Sequence, residues 1–275
     1  MTVPSTNCNW CTDPVRRLGG WVLQRLRFLA DTSGLVGQVV RDAASSPSLE
    51  NGAIRSVLLK QVYFSGYEAW KIIMLVALIL GTVIVSQVVG LVGGGSGSLT
   101  GKVLVWVVFR ELGPLLTALI VVARSGTAIA AELGSMKING ELDALELMGI
   151  PRERYLILPR VVGVASAVAV LTAYFVLTAF VGGFLIASLA HHIPYDQFVQ
   201  GVVASLGLWE IAVLAIKTLF FGLTIPVICC HAGLSVGTSA TEIPQAATRA
   251  VITSLFSIVL LDGLITSVAT MLVQA

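Results

Sequence analysis

From residue 71 onward the chain is a series of long apolar runs broken by short polar stretches, at a spacing set by bilayer width rather than by amphipathic period. A span needs roughly 20 mainly apolar residues to cross about 30 Å of hydrocarbon. Five runs meet that length: Lys71 to Val92, Val103 to Ala123, Val161 to Ala190, Ile211 to Cys230 and Ala250 to Val273. The third is long enough to tilt or to extend past the bilayer. Ahead of them the pattern differs. Met1 to Pro14 is polar, Val15 to Val40 mixes Arg16, Arg17, Arg25 and Arg27 with Trp21, Leu26 and Phe28, and Ala53 to Trp70 is a second amphipathic piece. Basic and bulky apolar side chains in that mixture predict a helix lying in the membrane interface. The expectation is an all-α integral membrane protein: a tail at 1–14, interfacial helices at 15–70 and a transmembrane domain at 71–275.

Composition agrees, with 56% hydrophobic and only 12% charged residues, outside the balance of a soluble domain. A net charge of +2, spread along the chain, gives no footprint for nucleic acid. Met1 to Pro14 and the arginines after it lack the short apolar core and cleavage site of a secretory signal, so this segment is expected to be retained. Lys and Arg concentrate before the first span and between Arg124 and Arg160, read here as a loop, whereas the segments "GGGSGSLTGK" and "HHIPYDQFVQGVVASLGLWE" carry one and none. The positive-inside rule therefore puts the N-terminus and the 124–160 loop in the cytoplasm.

Several motifs fail on inspection. The Gly-rich segment before Val103 lacks the first glycine and the Ser or Thr of a phosphate-binding loop, and reads as a flexible turn between spans. His191, His192 and Asp196 read as a polar loop rather than metal ligands. Cys8 and Cys11 have no second pair at ligand spacing, and Cys229 and Cys230 end an apolar run as small hydrophobes. No nucleophile elbow, zinc-protease motif or carboxylate dyad is present, so no catalytic centre is expected.

Charge inside the spans is the informative feature. Arg110 and Glu111 interrupt the second run, and each charge in hydrocarbon costs about 2.5 to 3.5 kcal/mol on insertion scales. Adjacent helical residues point about 100° apart, so the pair is not expected to neutralise itself. Either it faces a substrate cavity, or the span starts late and it sits at the outer interface. Pro114 frees the carbonyl one turn earlier, which is tolerated where a helix lines protein or water. Lys217 and Asp262 are the other intramembrane charges, placed where antiparallel spans can pair them as a structural ion pair; a proton relay is the rival reading. Small residues at Ser125, Gly126, Ala130, Ala131 and Gly134, and at Gly163, Ala165 and Ser166, permit close backbone approach within or between subunits.

The densest charge lies in "KINGELDALELMGIPRERY", Lys137 to Tyr155. A short helix over about 139–149 is predicted, capped by Asn139 or Gly140, with Glu141 and Asp143 in its first turn and Gly149 before Pro151 to end it. Leu142, Leu145 and Met148 share one side, with Glu146 beside them. Its acidic face disfavours an anionic lipid surface and suits a basic groove on a cytoplasmic protein.

The run "FRELGPLLTALIVVARSGTAIAAELGSMKINGELDALELMGIPRERYLILPR", with "GLSVGTSATEIPQAATRAVITSLFSIVLLD" nearer the C-terminus, resembles the MlaE/YrbE permease family, membrane subunits of bacterial lipid-transporting ABC systems that work with MCE-domain proteins. The likeness covers most of Ser56 to Val273; Pro151 falls one residue earlier than the family's Gly-x-x-Pro. The resemblance implies a multi-pass homodimer in the bacterial inner membrane. It implies two cytoplasmic ATPase subunits that carry ATP and magnesium, a periplasmic MCE-domain carrier and a small STAS-domain protein. This chain would bind no cofactor itself. The helix from Glu141 to Met148, including Asp143, Leu145 and Glu146, would couple to the ATPase. Ile84, Gln87, Leu91, Val92, Arg110 and Glu111 would line a phospholipid cavity at the dimer axis. The implied function is phospholipid movement that contributes to outer-membrane lipid asymmetry; the rivals are a membrane-embedded lipid-modifying enzyme and a secondary transporter.

Overall fold

The computed structural model describes residues 61–274 except 68, 93–96 and 192–193, and gives the backbone alone at 64, 92, 154, 190, 191 and 274. The interfacial helix expected at 15–40, and Cys8 and Cys11, lie outside the described residues, as does His192. Helix is the only regular structure among the described residues. That follows from the solvent: hydrocarbon offers no partner to backbone polar groups, so each span must satisfy its own.

Among the described residues, five helices are long and apolar enough to cross a membrane. They are α1 (Trp70–Val92), α2 (Gly97–Ile138), α4 (Leu158–His191), α6 (Leu208–Leu234) and α7 (Ile243–Gln274). Two shorter helices join them: α3 (Glu141–Leu147) between α2 and α4, and α5 (Tyr195–Ser205) between α4 and α6. The core runs through all five spans, with Phe175, Phe221, Ile129, Leu133, Leu158 and Ile225 fully buried.

Four expectations are corrected. The second span is not Val103 to Ala123 but 42 residues, Gly97–Ile138, about 63 Å at 1.5 Å per residue and twice the hydrocarbon thickness. The residues after Gly97 are therefore helical rather than a flexible turn, and they pack on α5, where Gly101 and Gly201 leave no room for a Cβ against Phe198 and Ser98. At the other end Arg124 to Ile138 is helix, not loop, because the polar residues that ended the hydropathy run do not end the hydrogen-bond ladder. The polar segment after His191 likewise folds into α5 rather than staying a loop. Two π-helical stretches, Val105–Leu112 and Val122–Gly126, interrupt α2. Such insertions re-aim side chains and are frequent at functional sites.

Small residues set the close crossings. A Cβ on Gly222 of α6 would stand 2.6 Å from Ala165 Cα, and one on Gly233 would be 2.7 Å from the Ala130 carbonyl. Gly126 faces Cys229 Sγ and Gly134 faces Val236. At Gly126, Ala130, Gly134 and Ala165 the small residues make close approaches within the chain.

Candidate functional site

The first π-helical stretch carries Arg110 and Glu111 against α6 and α7, and five ionisable side chains meet there. Lys217 of α6 is completely buried. Its Nζ lies 2.7 Å from Glu111 Oε2 and 2.8 Å from Asp262 Oδ1 of α7. It also donates to the Arg110 carbonyl at 2.9 Å. An ammonium has three protons and no acceptor, so these three oxygens match its donors in number. The Asp262 contact is an ion contact off the hydrogen-bonding direction, since Oδ1 has no hydrogen-bond partner despite the short distance.

Pro114 follows one turn on. It has no amide to offer the Arg110 carbonyl at the α-helical spacing, and that carbonyl accepts from Lys217.

Arg110, 7% exposed, holds the other end of the cluster. Nη1 sits 3.4 Å from Glu210 Oε1, Nε is 3.6 Å from Glu111 Oε1, and the guanidinium lies 5.8 Å from the Trp106 ring centroid. The expectation that Arg110 and Glu111 do not pair is therefore corrected: the guanidinium stem is long enough to swing back onto its neighbour. Thr266 of α7 donates to the Glu111 carboxylate at 3.2 Å. Three carboxylates against two cations leave one formal negative charge if all are ionised.

Glu210, Trp106 and Thr266 were not singled out in the sequence. Glu210 is legible once the fourth span is started at Leu208 rather than Ile211, which puts its carboxylate in the first turn of the span. The α1 residues fall elsewhere. Ile84 is half-buried against the core, while Gln87 and Leu91 are exposed, and no hydrogen bond or ion pair among the described residues joins them to the cluster.

At the opposite end of α2 stands α3. Of the two caps expected, Gly140 is the one seen: it occupies the N-cap at φ 73°, where its missing Cβ matters, without a side-chain cap hydrogen bond, and Asn139 Nδ2 donates to Glu141 Oε1 at 3.5 Å. The C-terminal end is a Schellman motif around Gly149 at φ 72°, with the Gly149 amide donating to Glu146 at 2.9 Å and that of Ile150 to Leu145 at 3.0 Å. The apolar side is split. Leu142 is 3% exposed and Leu145 packs against the core, whereas Met148 faces out together with Glu141, Asp143 and Glu146. Leu147, 89% exposed, is the apolar residue that the three-residue spacing missed.

The charged cluster and the outward α3 are features of one chain, and comparison with known proteins places that chain. Residues 58–268 match the family described as Permease MlaE. A probable ABC transporter permease protein of Synechocystis sp. is 33% identical over 201 residues, covering 73% of this chain and 76% of that protein. A probable ABC transporter permease protein of Rickettsia typhi is 28% identical over 212 residues, 77% of this chain and 82% of the relative. The chloroplastic protein TRIGALACTOSYLDIACYLGLYCEROL 1 of Arabidopsis thaliana is 32% identical over 167 residues, 61% of this chain and 48% of its own length. With five membrane-length helices and a match across most of its length, this chain belongs to the MlaE permease family.

Proposed function

We propose that this chain is the membrane subunit of an ATP-driven transporter that moves phospholipid between the bacterial inner membrane and a periplasmic MCE-domain carrier, contributing to outer-membrane lipid asymmetry. The observation that carries the reading is the five-charge cluster built between apolar helices α2, α6 and α7. A lipid is half ionic and half hydrocarbon, and charge held inside a greasy bundle next to exposed apolar helix faces suits both halves. Lys217 and Asp262 fix the register of α6 on α7, and Arg110 and Glu111 offer the head group a charged wall. Ile84, Gln87 and Leu91 supply the acyl side from α1, where the resemblance also puts Val92, whose side chain lies outside the described residues. A relative named for a glycolipid, trigalactosyldiacylglycerol, supports a lipid substrate.

The chain works as a homodimer, as the family resemblance implies, and its N-terminus lies in the cytoplasm by the distribution of Lys and Arg in its connections. Energy comes from separate ATPase subunits that hold ATP and magnesium, in an assembly that also includes a small STAS-domain protein. The α3 helix is the contact with the ATPase. Seven residues form too short a helix to hold itself, yet its Schellman end and buried Leu142 fix it to the body. Glu141, Asp143, Glu146, Leu147 and Met148 are left outward for a partner with basic and apolar surface. Glu141→Lys combined with Glu146→Lys tests this: co-purification of the ATPase is lost while the permease remains assembled. Undiminished co-purification would remove α3 from the account.

A further inference from the structure

A large groove in the described residues lies away from the charged cluster. It has a volume of about 1480 Å³ and lies between the turn Tyr63–Tyr67, the start of α1, the last turns of α2 and the start of α4. Glu132, on its wall, is 21 residues along α2 from Glu111, about 30 Å at 1.5 Å per residue and therefore near the opposite face of the bilayer. In the orientation proposed above, that face is cytoplasmic.

Two polar donors on this groove are unused. Arg160 is 3% exposed; its Nη2 is 2.8 Å from Glu132 Oε2, while the buried Nη1 has no hydrogen-bond partner. Trp70 Nε1, also on the groove, is buried and unpartnered as well. A buried donor left without an acceptor costs about 1–3 kcal/mol, more when charged, so the open Arg160 Nη1 on the groove wall points to an acceptor that is bound there. Glu132 is 60% exposed and leaves a carboxylate beside the guanidinium. The walls are otherwise apolar and aromatic: Tyr63 and Tyr67 stack with centroids 5.0 Å apart, and Trp70 meets Tyr174 edge-on at 6.2 Å. Aromatic residues of this kind sit at the level of lipid head groups.

We propose that this groove binds one zwitterionic phospholipid, with its phosphate at Arg160 Nη1 and its ammonium at Glu132. A paired cation and anion matches a head group that carries both charges. A head group with phosphate alone would meet the Glu132 carboxylate unpaid by any ammonium. The acyl chains leave along the apolar side past Val170, which is exposed and belongs to the groove. The site does not depend on that lipid being the cargo of transport.

The test is native mass spectrometry of the permease complex released from nanodiscs of equal phosphatidylethanolamine and phosphatidylglycerol. The wild-type chain retains phosphatidylethanolamine over phosphatidylglycerol by about tenfold, the weight of a charge-assisted contact. Glu132→Gln, at an exposed position, brings the two lipids to parity. Arg160→Gln lowers retention of both. Should Arg160→Gln fail to assemble, Val170→Trp fills the groove without touching the ion pair and removes the bound lipid. Equal retention of the two lipids by wild type, or full retention in Val170→Trp, overturns the proposal. So does loss of a co-purifying membrane polypeptide, rather than lipid, on Val170→Trp. Failure of ATP-driven lipid transfer with this retention intact would count against the transport reading alone.

Discussion

Replacing Lys217 by Met removes the cation on which Glu111 Oε2, Asp262 Oδ1 and the Arg110 carbonyl converge at 2.7, 2.8 and 2.9 Å. Met is close in volume, so little of the effect is packing. Glu111 keeps Thr266 and the more distant Arg110 Nε, but Asp262 loses its only ion contact among the described residues. Removing one partner of a buried pair costs about 3–5 kcal/mol because the other charge stays buried and uncompensated. Asp262→Leu added to Lys217→Met takes away the orphaned carboxylate. The double variant should therefore be more stable than the sum of the single losses by at least about 1.5 kcal/mol, within the range for residues in contact. The assay is unfolding of the purified permease in mixed micelles of mild detergent and dodecyl sulfate, on all four members of the cycle. Additivity within about 0.5 kcal/mol, the behaviour of independent sites, would refute the pairing.

Asp262→Asn keeps the side-chain shape; the complex should assemble and still transport, and loss of transport with assembly intact would favour a proton relay over the structural pair. Leu142→Ala should destabilise the permease by about 2–5 kcal/mol, whereas Leu147→Ala leaves stability within about 0.5 kcal/mol and weakens ATPase co-purification instead. The reverse ranking would mean that α3 docks by its other face. Gly222→Leu forces side-chain atoms into the Ala165 backbone and should cost about 1–3 kcal/mol or more, read as a lowered melting temperature of the detergent-solubilised chain.

The number of spans was legible because hydrocarbon imposes one length on every crossing helix, and the ends were not, because α2 continues as helix well beyond the apolar core. Hydropathy detects where a side chain prefers lipid; it is silent on a backbone ladder that runs on through Lys102 or Lys137. Arg110, Glu111, Lys217 and Asp262 stood out in the sequence as charges in greasy runs, but their meeting at one point depends on α2, α6 and α7 crossing. Glu210 joins Arg110 from 100 residues away, a contact no local pattern carries. In α3 the three-residue spacing found Leu142 and Leu145, and the Schellman turn at Gly149 decided that Met148 faces outward with Leu147. Arg160 entered the sequence reading only as the end of the charged 124–160 stretch; its burial and open Nη1 are visible only in three dimensions.

The central claim is that this chain moves phospholipid only when driven by a separate ATPase. Labelled phospholipid in proteoliposomes containing the permease, with and without its co-purified ATPase, and an acceptor carrier outside, measures it directly. The account predicts lipid transfer that requires ATP and the ATPase and disappears in Glu141→Lys with Glu146→Lys. Transfer or lipid modification by the permease alone without ATP, or ATP hydrolysis by the intact complex with no lipid moved, would contradict it.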